Sequence, residues 1–164
     1  MIYKIMVIVL IIIILYCCIS NFDQENYETL NINNENMINI FNEYLHKSKY
    51  DWNYILPIDL LNTDKKNVFI LDIRKSEDYK KGHIKDSTNI FWLDLLKPEN
   101  LKKLPKNKEI IIVCYVGHTG SQILVLLKLL GYNAKVLKFG MGQSPTVGVP
   151  VAGWINYGFD IETT

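Results

Sequence analysis

The chain has 164 residues, which predicts a single domain. Its 18 Lys and Arg residues balance 17 Asp and Glu residues, and the basic residues form no cluster, so nothing points to nucleic acid as a partner. A hydrophobic content of 49% excludes a disordered chain, and three cysteines are too few for a disulfide framework. The cysteines and histidines also lack the spacing of metal ligands, so the sequence indicates no metal site.

The first twenty residues predict an export or anchoring segment. An apolar run extends from Ile5 to Ile19 behind the single charge of Lys4. It is shorter than the roughly 20 residues of a membrane-spanning helix and fits the ~7–15 residues of a signal-peptide core. A cleaved signal peptide is therefore favoured over an uncleaved anchor, and both over a buried strand or helix of the fold.

The end of this run resembles a bacterial lipobox. There, a cysteine that follows a short motif led by leucine is lipidated, and here the motif reads Leu15-Tyr-Cys-Cys18. The resemblance implies lipidation of Cys18, although Cys17 stands where Gly, Ala or Ser is usual. Two unmodified thiols are the alternative. We expect an exported protein that is associated with the membrane at the cell envelope, or alternatively a secreted one.

Residues 21–53 are interpreted as a polar tether followed by an amphipathic helix. Residues 21–34 are polar and rich in Asn. Between Glu35 and Tyr50, apolar residues recur at helical spacing, with Asn and Lys on the opposite side.

The rest of the chain alternates strands and helices. Short helices are predicted to begin at Pro57 and at Ser76, and a longer one over residues 119–130, before Gly131. Three apolar runs are typical of buried parallel strands, namely 68–72, 110–114 and 134–139. This order predicts an α/β fold with a parallel sheet and helices on both faces.

The candidate chemistry lies where the second of these strands ends, at Cys114. Ligands of open α/β sheets bind at the carboxyl ends of the strands. Gly117 and Gly120 allow the following loop to curl so that backbone N–H groups point inward, and the helix N-terminus adds positive potential. We expect these groups to lower the pKa of Cys114 below the free value of about 8.5, against the opposing effect of burial. An inert buried cysteine is the alternative.

Three separated motifs resemble the rhodanese-homology family, over a stretch from Tyr54 to the end of the chain. The segment L-D-I-R-K-S-E-D-Y-K-K-G-H-I resembles its first signature, an Asp-x-Arg at a strand end followed by an acidic helix and Gly-His-Ile. C-Y-V-G-H-T-G-S-Q resembles the active-site loop, and K-F-G-M-G with W-I-N-Y-G-F-D-I resembles the closing segment. The resemblance implies a rhodanese-like open sheet and a domain over residues 54–164.

The resemblance also implies a chemistry. Cys114 would accept a sulfane sulfur from a small-molecule or protein donor as a persulfide and pass it to a thiol or cyanide acceptor, with no metal or organic cofactor. Asp72 and Arg74 would lie near the substrate or form a structural ion pair, and we favour a pair between Arg74 and Glu77. The anion would be bound by the loop that comprises Tyr115, Val116, Gly117, His118, Thr119 and Gly120. His118 would either stabilise charge there or have no role.

Two departures from the family pattern matter. Thr119 stands at the fifth position after the cysteine, where many members carry an Arg that binds an anionic donor such as thiosulfate. This makes thiosulfate a doubtful donor, argues against a cysteine phosphatase, and leaves open a catalytically silent binding module. An insertion at 143–152 predicts a loop beside the active site, with a variable surface connection as the alternative.

Overall fold

The structure, a computed structural model, describes residues 34–48, 53–142 and 152–164. The predictions for the N-terminal segment, for most of the tether and for nearly all of the 143–152 insertion lie outside these residues. The chain divides into two units between His46 and Lys47. Within the described ranges, no helix combines the length and the apolar character needed to cross a membrane.

The described part of the first unit lies within helix α1, Asn34–Ser48. Its apolar side chains recur three and four positions apart, as the sequence pattern indicated. Ile38, Phe41 and Leu45 on this face are exposed.

The second unit contains a five-stranded sheet with the spatial order β1-β5-β4-β2-β3, and every strand pair in it is parallel. The strands are β1 (Tyr54–Ile55), β2 (Val68–Asp72), β3 (Thr88–Asn89), β4 (Glu109–Val113) and β5 (Ala134–Leu137). The helices are α2 (Pro57–Asn62), α3 (Ser76–Lys81), α4 (Pro98–Leu101) and α5 (His118–Leu129). Two short 3-10 helices lie at Trp92–Asp94 and Trp154–Tyr157.

Apolar side chains on both faces of the sheet explain the continuous apolar runs of its central strands. Because successive residues of a strand point to opposite faces, β4 contributes to two separate apolar clusters. Ile110 and Ile112 pack in the cluster that contains Ile123, Leu124 and Leu127 of α5. Ile111 and Val113 pack in the cluster that contains Leu60 of α2 and Trp154. The predicted open parallel sheet with helices on both faces is confirmed.

The sheet order places two chemically distinct strand ends side by side. β2 and β4 are hydrogen-bonded neighbours, and their register pairs Asp72 with Val113. Asp72 and Cys114 therefore lie at the same carboxyl edge of the sheet. The third predicted strand is shorter than expected, because the chain leaves β5 for a turn in which Phe139 adopts a φ of 62°.

Candidate functional site

Cys114 directly follows β4 and lies four residues before the first residue of α5. Its side chain is only 2% exposed and belongs to the apolar cluster on the α5 face of the sheet. It forms no disulfide. The thiol is therefore covered by the sheet and by the N-terminal turn of α5, at the edge where parallel sheets bind ligands.

Backbone N–H groups surround the sulfur. The N–H groups of Gly117 and Gly120 donate hydrogen bonds to Sγ of Cys114 at 3.1 Å and 3.3 Å. Gly117 caps α5 with a φ of 95°, a conformation that favours glycine. A Cβ atom at Gly120 would lie 3.4 Å from Sγ and 3.0 Å from Cγ1 of Val136, so glycine lets the helix approach the sulfur closely. The two glycines singled out in the sequence thus form the predicted cradle of N–H groups.

A turn after β5 holds the other side of the loop. The N–H of Met141 donates to the carbonyl of Cys114 at 2.9 Å, and the N–H of Gly142 donates to the carbonyl of Tyr115 at 3.0 Å. A Cβ atom at Gly140 would collide with the Cys114 carbonyl oxygen. These two hydrogen bonds hold the peptide groups on both sides of Tyr115, between Cys114 and the N–H groups that face Sγ.

The pKa of Cys114 differs from the expectation. Burial raises the pKa of this thiol, and the charge of Asp72 raises it further. The N–H groups of Gly120, Gly117 and Val116 lower the pKa, but by less than burial raises it. The predicted depressed pKa is therefore wrong, because α5 and the turn after β5 cover the strand end. At neutral pH the resting cysteine is mainly a thiol.

Asp72 and Arg74 form a buried ion pair. The Nη2 and Nε groups of Arg74 donate to Oδ2 of Asp72 at 2.6 Å and 3.0 Å, and Nη2 also donates to the Gly82 carbonyl at 2.8 Å. The two side chains are almost completely buried. The predicted pairing of Arg74 with Glu77 is wrong: the chain bends directly after β2, which brings Asp72 within reach, whereas Glu77 lies exposed on α3. The Nε and Nη2 donors of Arg74 are engaged within the fold, which favours a structural role for the pair.

Tyr115 connects the loop to helix α3. Its Oη donates a 2.7 Å hydrogen bond to Oδ2 of Asp78 and accepts a 3.4 Å bond from the N–H of Lys75. Burial, and then the bond to Asp78, raise the pKa of Tyr115 to about 12. Hydrogen bonds from Lys81 and then Tyr115 lower the pKa of Asp78. Asp78 is absent from the predicted site, and its place beside Glu77 in an acidic first turn is the one sequence signal that points to it.

The side chains of His118 and Thr119 remain outside the cradle. His118, the first residue of α5, is exposed, and Thr119 is half-buried. Neither side chain hydrogen-bonds to Sγ within the described part of the chain. The loop can therefore stabilise negative charge at the sulfur through its main chain alone. Over these same residues, no group of three or more metal-ligating side chains occurs.

Comparison with known proteins relates this geometry to a family. A family model described as "Rhodanese-like domain" matches residues 59–143. None of the curated protein sequences matches the chain. A rhodanese-like domain protein from Staphylococcus aureus is 28% identical over 56% of this chain and 93% of its own, with a TM-score of 0.50.

Two further solved structures share the fold at lower identity. A rhodanese-related protein from Thermoplasma volcanium is 23% identical, with a TM-score of 0.56, and the match covers 68% of this chain and 98% of that one. A protein from Bacillus halodurans is also 23% identical, with a TM-score of 0.58 over 74% of this chain and 85% of its own.

Proposed function

Because the chain belongs to the rhodanese-like domain family, we propose that it is a sulfurtransferase that carries a sulfane sulfur as a persulfide on Cys114. The observation that supports this proposal best is the pair of N–H donors from Gly117 and Gly120 that converge on Sγ. Such fixed donors stabilise an anionic sulfur without reorganising during the reaction. They suit a thiolate as nucleophile and a persulfide as product.

The reaction has two displacement steps. Cys114 first loses its proton to solvent base, and the thiolate attacks the outer sulfur of the donor. An S–S bond forms on Cys114 as the donor's bond to that sulfur breaks, and the leaving group takes the electron pair. A thiolate or cyanide acceptor then attacks the outer sulfur of the persulfide, and the bonding pair returns to Sγ. No net oxidation occurs, because the sulfur atom is passed on unchanged.

The donor is expected to carry little charge. The N–H cradle supplies only partial positive charge, and Arg74, the single arginine of the sequence, is engaged by Asp72 and the Gly82 carbonyl. A doubly charged donor such as thiosulfate lacks a matching guanidinium at Thr119. We therefore propose a singly charged small-molecule or protein persulfide as the donor and a thiol as the acceptor.

Intact-mass measurement after incubation with sulfane donors tests the proposal. We expect the protein to gain one sulfur atom and to lose it when a thiol or cyanide is added. Cys114→Ser is the matched control, because it replaces only the sulfur of this residue. A wild-type protein that gains no sulfur from any persulfide, polysulfide or thiosulfate donor would contradict the proposal.

A catalytically silent binding module is the second candidate. Two observations favour it: the thiol is 2% exposed, and burial raises its pKa. A silent module would gain no sulfur from any sulfane donor, even under conditions in which its thiol can be alkylated. Sulfur gain that Cys114→Ser abolishes favours the enzyme.

We also propose that the protein is exported and held at the membrane by residues 1–20. The support is the apolar run behind Lys4 and the lipobox-like cysteine pair that follows it. Fractionation of cells that express the full chain tests this, with Cys18→Ser to separate lipidation from an uncleaved anchor. Recovery of uncleaved protein in the soluble cytoplasmic fraction would refute it.

A further inference from the structure

Tyr115 is held at both ends by different parts of the chain. Its carbonyl accepts the Gly142 N–H from the turn after β5 at 3.0 Å. Its Oη donates to Oδ2 of Asp78 on α3 at 2.7 Å. Tyr115 is also the residue bonded directly to Cys114. The two anchors therefore fix the peptide that leads from the nucleophile into the N–H cradle.

The loop between Cys114 and α5 is short. Only Tyr115, Val116 and Gly117 separate Cys114 from α5. Oγ of Ser121 in α5 donates to the Gly117 carbonyl at 2.9 Å, at the end of the loop next to that helix. Val116 and Gly117 carry no polar side-chain atom, so at the end next to Cys114 the side-chain hydrogen bond to another element comes from Tyr115. Gly117, which has no Cβ, adds conformational freedom at the point where the N–H must be aimed.

The hydrogen bond between Tyr115 and Asp78 persists over the pH range in which the Cys114 thiolate would form. The pKa of Tyr115 is raised to about 12, so its hydroxyl stays a donor. The pKa of Asp78 is lowered, with Lys81 at 2.8 Å as its second partner, so its carboxylate stays an acceptor. The Arg74 guanidinium carbon lies 5.9 Å from the centre of the Tyr115 ring, and Asp72 neutralises that charge.

From this geometry we infer that Asp78 is a positioning residue, which acts through the Tyr115 hydroxyl to hold the loop so that its N–H groups face Sγ of Cys114. Asp78 itself touches neither the sulfur nor the proposed substrate. Its consequence for turnover rests on the proposed sulfurtransferase function. Its effect on the thiol does not, since any thiolate at this position depends on the same N–H groups.

The experiment measures the alkylation rate of Cys114 by iodoacetamide across pH. Asp78→Ala removes the acceptor, and we expect the rate at neutral pH to fall about twofold to tenfold, the equivalent of one lost hydrogen bond, with the midpoint displaced to higher pH. Asp78→Asn keeps an oxygen acceptor and should retain most of the wild-type rate. Glu77→Ala is the matched control, because it removes an exposed carboxylate from the same helical turn.

Tyr115→Phe removes the hydroxyl and keeps the aromatic ring. It tests the inference if circular dichroism shows that Asp78→Ala does not fold. It should reproduce the Asp78→Ala profile, and the double variant should lose no more than either single one. The inference would be overturned if the alkylation profile of Tyr115→Phe matched the wild type, or if the rate losses of the two single variants added in the double variant. It would also be overturned if Glu77→Ala slowed alkylation as much as Asp78→Ala does. Sulfur gain by intact mass is read separately, so a profile shift without sulfur gain would refute the proposed function alone.

Discussion

The ends of β2 and β4 lie side by side, yet the buried side chains that they carry, Asp72 and Cys114, have different kinds of partner. Asp72 faces the full charge of Arg74, whose Nε and Nη2 groups donate to Oδ2 of its side chain. Sγ of Cys114 accepts hydrogen bonds from two N–H groups, which carry only partial charge, and burial raises the pKa of the thiol. The ion pair of Asp72 and Arg74 stabilises the fold. The thiol of Cys114, beside backbone dipoles, is neutral at rest and can become charged during a reaction.

Removal of the sulfur gives the largest expected effect. Cys114→Ser should abolish sulfur uptake and transfer completely, because no other cysteine lies outside residues 1–20. The fold should persist, since serine is nearly isosteric at a site that offers N–H donors. Intact mass after donor treatment measures the first outcome and thermal unfolding the second. Sulfur gain by a domain that lacks both Cys114 and residues 1–20 would contradict the assignment.

Breaking the ion pair at the neighbouring strand end should affect stability instead. Arg74→Ala leaves the Asp72 carboxylate buried without its partner, so we expect the free energy of unfolding to fall by about 3–5 kcal/mol. Chemical denaturation measures this, and Lys81→Ala, which breaks the exposed pair with Asp78, is a control with a much smaller effect. A loss below about 1 kcal/mol in Arg74→Ala would contradict a structural role for the pair.

A substitution at position 119 can place a full positive charge in the loop around Sγ of Cys114. Thr119→Arg should lower the KM for thiosulfate by about tenfold to a hundredfold, the equivalent of one charge-assisted hydrogen bond. Thr119→Gln offers donors without charge and should change the KM much less. Steady-state kinetics with thiosulfate and cyanide measures both variants. An unchanged KM in Thr119→Arg would show that the donor does not reach this position.

The raised pKa of Cys114 predicts a smaller effect on stability. The folded state favours the protonated thiol, so this contribution is fully present below the unfolded-state pKa of about 8.5 and is lost as pH rises through the folded-state pKa. The stability advantage of the wild type over Cys114→Ser should therefore shrink above about pH 8.5. Denaturation of both proteins at several pH values measures it. An advantage that grows with pH would indicate a depressed pKa instead.

The sequence predicts the fold better than it predicts the environment of the site. Continuous apolar runs are produced by burial on both sheet faces, so β2 and β4 were found almost to the residue. β1 and β3 have two residues each, too few for periodicity to reveal them.

The two errors at the site have a common physical origin. The depth of Cys114 depends on the turn that contains Gly140, which lies 26 positions further along the chain. The partner of Arg74 depends on the bend after Asp72, which a linear pattern does not reveal. Strand ends and glycines identify where a site lies, whereas burial and pairing arise from segments that meet only after folding.

The closing segment carries a consequence for the order of assembly during synthesis. The turn after β5, which holds the Cys114 carbonyl, is itself hydrogen-bonded to the closing segment. The Trp154 N–H donates to the Gly140 carbonyl at 3.0 Å, and the Ile155 N–H donates to the Met141 carbonyl at 3.1 Å. A chain emerging from the ribosome presents β2, β4 and α5 before these residues exist. In nascent chains stalled before Trp154, Cys114 should therefore react readily with alkylating reagents. The chain length at which Cys114 becomes protected would show when the closing segment packs onto the domain.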